Sequence, residues 1–193
     1  MSKVDLKKVR EVMLYLTQKE GGKIEFKKLL KLTYLADRLH LRQHGRTVST
    51  DFYVAMKKGP VASMTYDFCK AITSLEGADL GEKAEIRSFF EKGENYYTVK
   101  SSKTPDLNNF SESEVESMNA VYDEYGSKNG EELSALSHTF HEWAQFRSQL
   151  EKNPTAFPID FSSFFEAEDK GTIFEESKER LEVMEGIYQE DNV

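Results

Sequence analysis

Residues 24–43 read IEFKKLLKLTYLADRLHLRQ, and this stretch decides the fold class. Phe26, Leu29, Leu30, Leu32, Leu35, Ala36 and Leu39 recur at helical spacing and cover a wide apolar face, predicting a helix that ends at His44-Gly45. Lys27, Lys31, Arg38 and Arg42 follow at intervals of 4, 7 and 4 and form a basic stripe elsewhere on that helix. The stripe reads as a solvated face or as a row of phosphate contacts.

Upstream, Leu6, Val9, Val12, Met13 and Leu16 predict a helix over 3–19, closed by Gly21-Gly22. Downstream, Phe52-Tyr53-Val54-Ala55-Met56 predicts an extended segment. Lys57-Lys58-Gly59-Pro60 follows, with Pro60 expected at the first position of a helix over 60–75. That helix would align Val61, Met64, Phe68, Ile72 and Leu75, with Cys69 beside them.

Ile86 to Phe90 and Tyr96 to Val99 flank Lys92-Gly93-Glu94-Asn95 and predict a β-hairpin. Ser111 with Glu114 has the spacing of a capping box and opens a helix over 112–125. More helix is expected over 130–151, broken near His138, before Pro154 and Pro158 punctuate the chain. Phe161, Phe164 and Phe165 suit a short helical turn. Phe174, Leu181, Met184 and Tyr188, spaced 7, 3 and 4, predict a last amphipathic helix. The expected architecture is mainly α (α+β): a winged-helix-like helical domain over 1–165 with a small antiparallel hairpin or sheet. An acidic C-terminal helical extension over 166–193 completes it.

A chain of 193 residues, 38% hydrophobic and 31% charged, suits one globular domain with a real core. No apolar run approaches the roughly 20 residues that span a bilayer, and Met1-Ser2-Lys3-Val4-Asp5, with no continuous apolar stretch behind its charges, does not read as a signal peptide. One cysteine excludes an internal disulfide. The expectation is a cytoplasmic protein without a membrane partner. Residues 1–60 hold 14 Lys and Arg against 6 Asp and Glu, and residues 61–193 hold 12 against 28. A net +8 followed by −16 favours a partner with its own charge pattern over a nucleic acid coated by the whole chain.

The motifs of nucleotide binding and acyl transfer are missing: no phosphate loop, no dinucleotide fingerprint and no nucleophile elbow. Cys69, among apolar residues, reads as a buried thiol, since an activated one needs positive, partly exposed surroundings. His40 and His44 (i, i+4) and His138 and His141 (i, i+3) have chelating spacings. The first pair lacks the glutamate of a metalloprotease helix and sits beside Arg42, and the second reads as hydrogen-bonding groups at a helix junction. Glu175, Glu176, Glu179 and Glu182 read as a solvated face. No catalytic residue, cofactor or metal ligand is assigned.

Three stretches resemble the Panacea family of antitoxin domains, also called SocA-like or phage-associated GepA-like. KLLKLTYLAD at 28–37 is similar to its helix K-L-x-K-L-x-Y-x-A-D and supplies Leu29, Leu32, Tyr34 and Asp37. KKGPVASMTYD at 57–67 is similar to its Gly-Pro-Val hallmark, here Gly59, Pro60 and Val61, with Tyr66 downstream. LSHTFHEW at 136–143 resembles its closing Leu-Ser-x-x-x-His motif, with His141 and then Trp143. Order and spacing agree over about residues 5–165. Lys57-Lys58 stands where the family often has an aromatic residue, and the tail after Glu166 lies outside the shared domain.

The resemblance implies an antitoxin that binds a cognate protein toxin, usually encoded beside it and often on phages or mobile elements. One branch acts as a protease adaptor, and no cofactor or catalysis is implied. The motif residues read as packing and helix-start devices, so toxin contacts are expected elsewhere. Two surfaces are candidates: the basic face, Lys27, Lys31, Arg38 and Arg42 with Lys57 and Lys58, and the last helix. In that helix Phe174, Leu181, Met184 and Tyr188 would dock on a partner or pack back on the domain. The alternative is a winged-helix DNA-binding regulator, suggested by several helices followed by a hairpin.

Overall fold

A computed structural model describes residues 4–73, 81–153 and 155–191. The chain is mainly helical with two small antiparallel sheets. α1 (Leu6–Lys19) starts where the Asp5 carboxylate accepts from the Lys7 and Lys8 N–H groups. β1 (Lys23–Glu25) leads into α2 (Phe26–His44), which stops at Gly45 with φ +71°. β2 (Tyr53–Met56) and β3 (Gly59–Ala62) form a hairpin, and α3 (Ser63–Thr73) follows directly. Its N-terminus is capped from outside by buried Asp51, which accepts from the N–H groups of Met64 and Thr65, 2.8 Å each.

The helix expected from Pro60 therefore begins three residues later. Pro60 lies in β3, paired with Ala55, at the edge of a sheet ordered β3-β2-β6, where a missing N–H breaks no ladder bond. Leu75 and Pro154 fall outside the described residues.

A 3-10 helix (Gly81–Ser88) occupies much of the segment expected as the first hairpin strand. The hairpin itself is β4 (Phe90–Lys92) and β5 (Thr98–Ser101), with Lys92 opposite Val99. β1 pairs with β5, Ile24 opposite Val99. The order α1-β1-α2-α3-β4-β5 is winged-helix-like, with the β2–β3 hairpin inserted before α3.

α4 (Glu112–Tyr125) carries the capping box of Ser111 and Glu114. The expected break at His138 separates α5 (Gly130–Ser137) from the short α6 (His141–Ala144) and α7 (Arg147–Lys152). β6 (Phe157–Pro158) joins β2, a 3-10 turn spans Phe161–Phe165, and α8 (Lys178–Asp191) ends the described chain. No helix among the described residues is long and apolar enough to cross a membrane.

α2 is the hub, packed against α1, α4, α5, α8 and β3. Residues from Leu29 to Arg42 along it are buried, polar ones included. The basic stripe is accordingly not a surface. Lys31, Arg38 and Arg42 are at most 2% exposed, and Lys27 alone of the four lies partly open. Of the two fates expected for the last helix, packing back on the domain is the one seen: Leu181 is a core residue, Met184 and Tyr188 pack against that core, and Phe174, also core, lies before α8 rather than within the expected helix. Phe174 stacks on Tyr125 and meets Phe140 edge-on.

Candidate groove at the motif-held hairpin

The β2–β3 turn, Lys57-Lys58, is fixed from three directions. From α2, the Lys31 ammonium donates to the Pro60 carbonyl at 2.7 Å. From α5, the Ser134 hydroxyl donates to the Lys58 carbonyl at 2.8 Å. From α6, the Trp143 indole N–H donates to the Met56 carbonyl at 2.9 Å. Gly59 has φ +102°, and a Cβ there would lie 2.5 Å from both Lys31 Nζ and Ser137 Oγ. Only glycine satisfies both the backbone and the space. Trp143 is held in turn by His138, stacked on it at 3.8 Å.

The three motif stretches thus converge on one turn. Tyr34 and Asp37 serve the same frame one layer deeper. Buried Asp37 accepts from the Ser49 N–H at 2.7 Å and from the Tyr53 hydroxyl at 2.6 Å. Burial pushes its carboxyl up to about 6 against these hydrogen bonds. Tyr34 donates to Glu142, as does Arg38 Nε at 2.7 Å. Arg38 also reaches Asp169 at 2.6 Å, and Arg42 donates to the carbonyls of Phe164, Ala167 and Phe174. Leu29 and Leu32 are fully buried core, and half-buried His141 meets Glu166 at 2.9 Å.

Beside the fixed turn lies a groove of about 350 Å³. Phe26, Leu30, Met56, Val61, Tyr66 and Tyr97 give it apolar walls, and Glu25, Lys27, Lys31, Lys57 and Lys58 supply its charges. Lys27 and Lys58 both reach Glu131, Lys58 at 3.5 Å. Lys31, closed in by the turn, has its ammonium pushed down to about 7 by burial and by the like charge of Lys27. Tyr66 stands on the rim with the Lys70 ammonium 4.7 Å from its ring centre.

Of the candidate partner-binding residues, the groove gathers Lys27, Lys31, Lys57 and Lys58, together with Val61 and Tyr66 of the Gly-Pro-Val stretch. It excludes Arg38, Arg42, Phe174, Leu181, Met184 and Tyr188. Glu131, Glu142, Ser134, Met56 and Tyr97 are the residues that sequence reasoning passed over. Tyr97 left a signal: Tyr96-Tyr97 directly follows the Gly93-Glu94-Asn95 hairpin tip, where side chains are exposed. At the helix junction, His138 serves packing more than the hydrogen bonding expected there: it stacks on Trp143, and its buried Nε2 has no hydrogen-bond partner among the described residues. His40 meets the Arg46 carbonyl at 2.7 Å and the Ser113 hydroxyl at 3.1 Å, and Cys69 is buried, which pushes its thiol up.

No curated protein and no solved structure matches the chain. A family model described as "Antitoxin SocA-like, Panacea domain" matches residues 29–144, a span that holds Lys31, the 57–60 turn and Trp143, and the chain belongs to that family.

Proposed function

We propose that this antitoxin-family chain works by direct contact: in the cytoplasm it binds a protein toxin encoded beside it, with the groove as the contact surface. One observation carries the reading. Side chains from three distant stretches hold a two-lysine turn rigidly against an open apolar groove. A pre-formed concave surface binds at a smaller entropic cost than a mobile one. The packing devices and an exposed surface thus lie side by side: Gly59, Lys31 and Trp143 fix the backbone, and Met56, Lys57, Lys58 and Tyr97, with the motif residue Tyr66, face outward.

Co-expression with the neighbouring gene tests this. Growth rescue together with a co-purifying complex is the expected result. Rescue without a complex would turn the reading toward delivery of the toxin to a protease or repression of its operon. Neither toxicity nor rescue would count against the antitoxin role in that pairing.

The winged-helix order favours a second reading, binding to the operator DNA of the same operon. It calls for affinity that falls steeply with salt. With Lys31, Arg38 and Arg42 buried, Lys92 and Lys100 of the β4–β5 hairpin would have to supply phosphate contacts.

A further inference from the structure

Resting on the direct-contact reading, we infer that the groove receives a segment of the toxin in which an apolar or aromatic side chain is flanked by carboxylates. Met56, Tyr66 and Tyr97 are 37%, 36% and 65% exposed, and all three large side chains turn onto this one concavity. At about 350 Å³ the space is near the lower end of ligand-sized pockets. It suits one or two inserted side chains. Aromatic anchors in such pockets dominate binding energy, and surrounding contacts mainly exclude water.

The rim decides the sign of the flanking charge. Lys27, Lys57 and Lys58 bring three ammonium groups, and Glu131 is the carboxylate shown pairing with Lys27 and Lys58. Glu25, which caps α2 by accepting from the Lys28 N–H, is the second carboxylate at the groove and leaves the lysines in the majority. Behind the rim, the Lys31 ammonium has three donors and the Pro60 carbonyl as its hydrogen-bond acceptor among the described residues. A carboxylate entering from a partner would relieve like-charge crowding among these lysines and extend the pairing that Glu131 begins.

A nucleic acid fits this place less well. Its phosphates would need exposed cations in a row along a backbone path. Here two rim lysines already share Glu131, and an apolar concavity lies between the charges.

The probe is the product of the neighbouring gene, titrated against the whole chain at 50 and 300 mM salt. Lys57→Glu/Lys58→Glu reverses exposed charges at the rim, and Met56→Asp places a charge on its apolar wall. Each is expected to weaken binding by at least about tenfold, as loss of a central contact or reversal of rim charge does. Lys92→Glu/Lys100→Glu, in the β4–β5 hairpin and outside the groove's lining, should leave it within about twofold, since sites that share no contacts act independently. Lys57→Ala/Lys58→Ala guards against a folding defect, and all variants should keep the wild-type melting temperature. A lysine replacing an acidic toxin residue that restores binding to the charge-reversed variant would identify the flanking carboxylate.

Wild-type affinity in both groove variants would overturn the inference and leave the antitoxin reading standing. No binding by the wild-type chain would overturn both. Salt-steep binding of an oligonucleotide, lost in Lys57→Glu/Lys58→Glu while toxin binding persists, would assign the groove to nucleic acid and likewise overturn the inference.

Discussion

Gly59 joins the helix hub to the surface in a single position. With φ +102° and two side-chain atoms 2.5 Å from any Cβ, it cannot accept alanine without displacing Lys31 or Ser137. Gly59→Ala is expected to cost about 1–3 kcal/mol, the range for a strained backbone position. Gly186→Ala, in α8 with open space around it, should be neutral or stabilise by up to about 1 kcal/mol. Urea midpoints of the two variants check this. Equal midpoints would remove the close-approach argument.

His40 sets a pH dependence at the same scale. Burial is the largest influence on it and holds the imidazole down to about 4, against an ordinary 6.5. The unfolded chain therefore binds the proton first. The stability tied to neutral His40 is complete above pH 6.5 and is lost as pH falls toward 4, by up to about 3 kcal/mol. Asp37 acts in the opposite sense: its carboxyl, raised to about 6, favours the folded state at low pH, and that contribution fades as pH rises from 3.8 through 6. His40→Asn should therefore flatten or reverse the loss of stability between pH 6.5 and 4, whatever its stability at pH 7.5. An unchanged acid slope would assign the acid sensitivity elsewhere.

At the scale of elements, α2 explains what the sequence could and could not tell. Its length, apolar face and glycine stop were readable, because helix periodicity and capping are local properties. The fate of its charges was not. Arg38 finds Glu142 at a separation of 104 residues and Asp169 at 131, and no local pattern announces such partners. Four basic residues at helical spacing look like a solvated stripe until the elements that cover them are known. The same non-local cover hid β3: Gly59-Pro60 reads as a helix start locally, but its pairing with Ala55 and Met56 in β2 makes it an edge strand. Of the groove, the sequence offered Lys27, Lys31, Lys57, Lys58, Val61 and Tyr66, while Tyr97 and the carboxylate of Glu131 that pairs with the rim arrive from other elements.

Glu142 tests the buried cluster. Glu142→Ala leaves Arg38 and Tyr34 buried without their shared acceptor, and breaking such a pair costs about 3–5 kcal/mol. Arg38→Met/Glu142→Leu should recover much of that loss, because removing both charges removes the desolvation penalty too. Equal melting temperatures for Glu142→Ala and the wild type would show that the cluster is not a structural bolt.

At the scale of the whole molecule, a winged-helix-like order carries an inserted hairpin, and the last segment closes over the hub. Phe174 and Leu181 are buried there, and Arg42 donates to backbone carbonyls from Phe164 to Phe174. Away from that closure, a concavity lies open between α2, the β2–β3 turn, α3 and the β4–β5 hairpin. Hydrogen exchange on the chain, alone and with the neighbouring gene's product, tests its role most directly. Contact should slow amide exchange over residues 56–66 and 95–98 and leave α8 unchanged. Protection confined to α8, with none at the β2–β3 turn, would contradict the account.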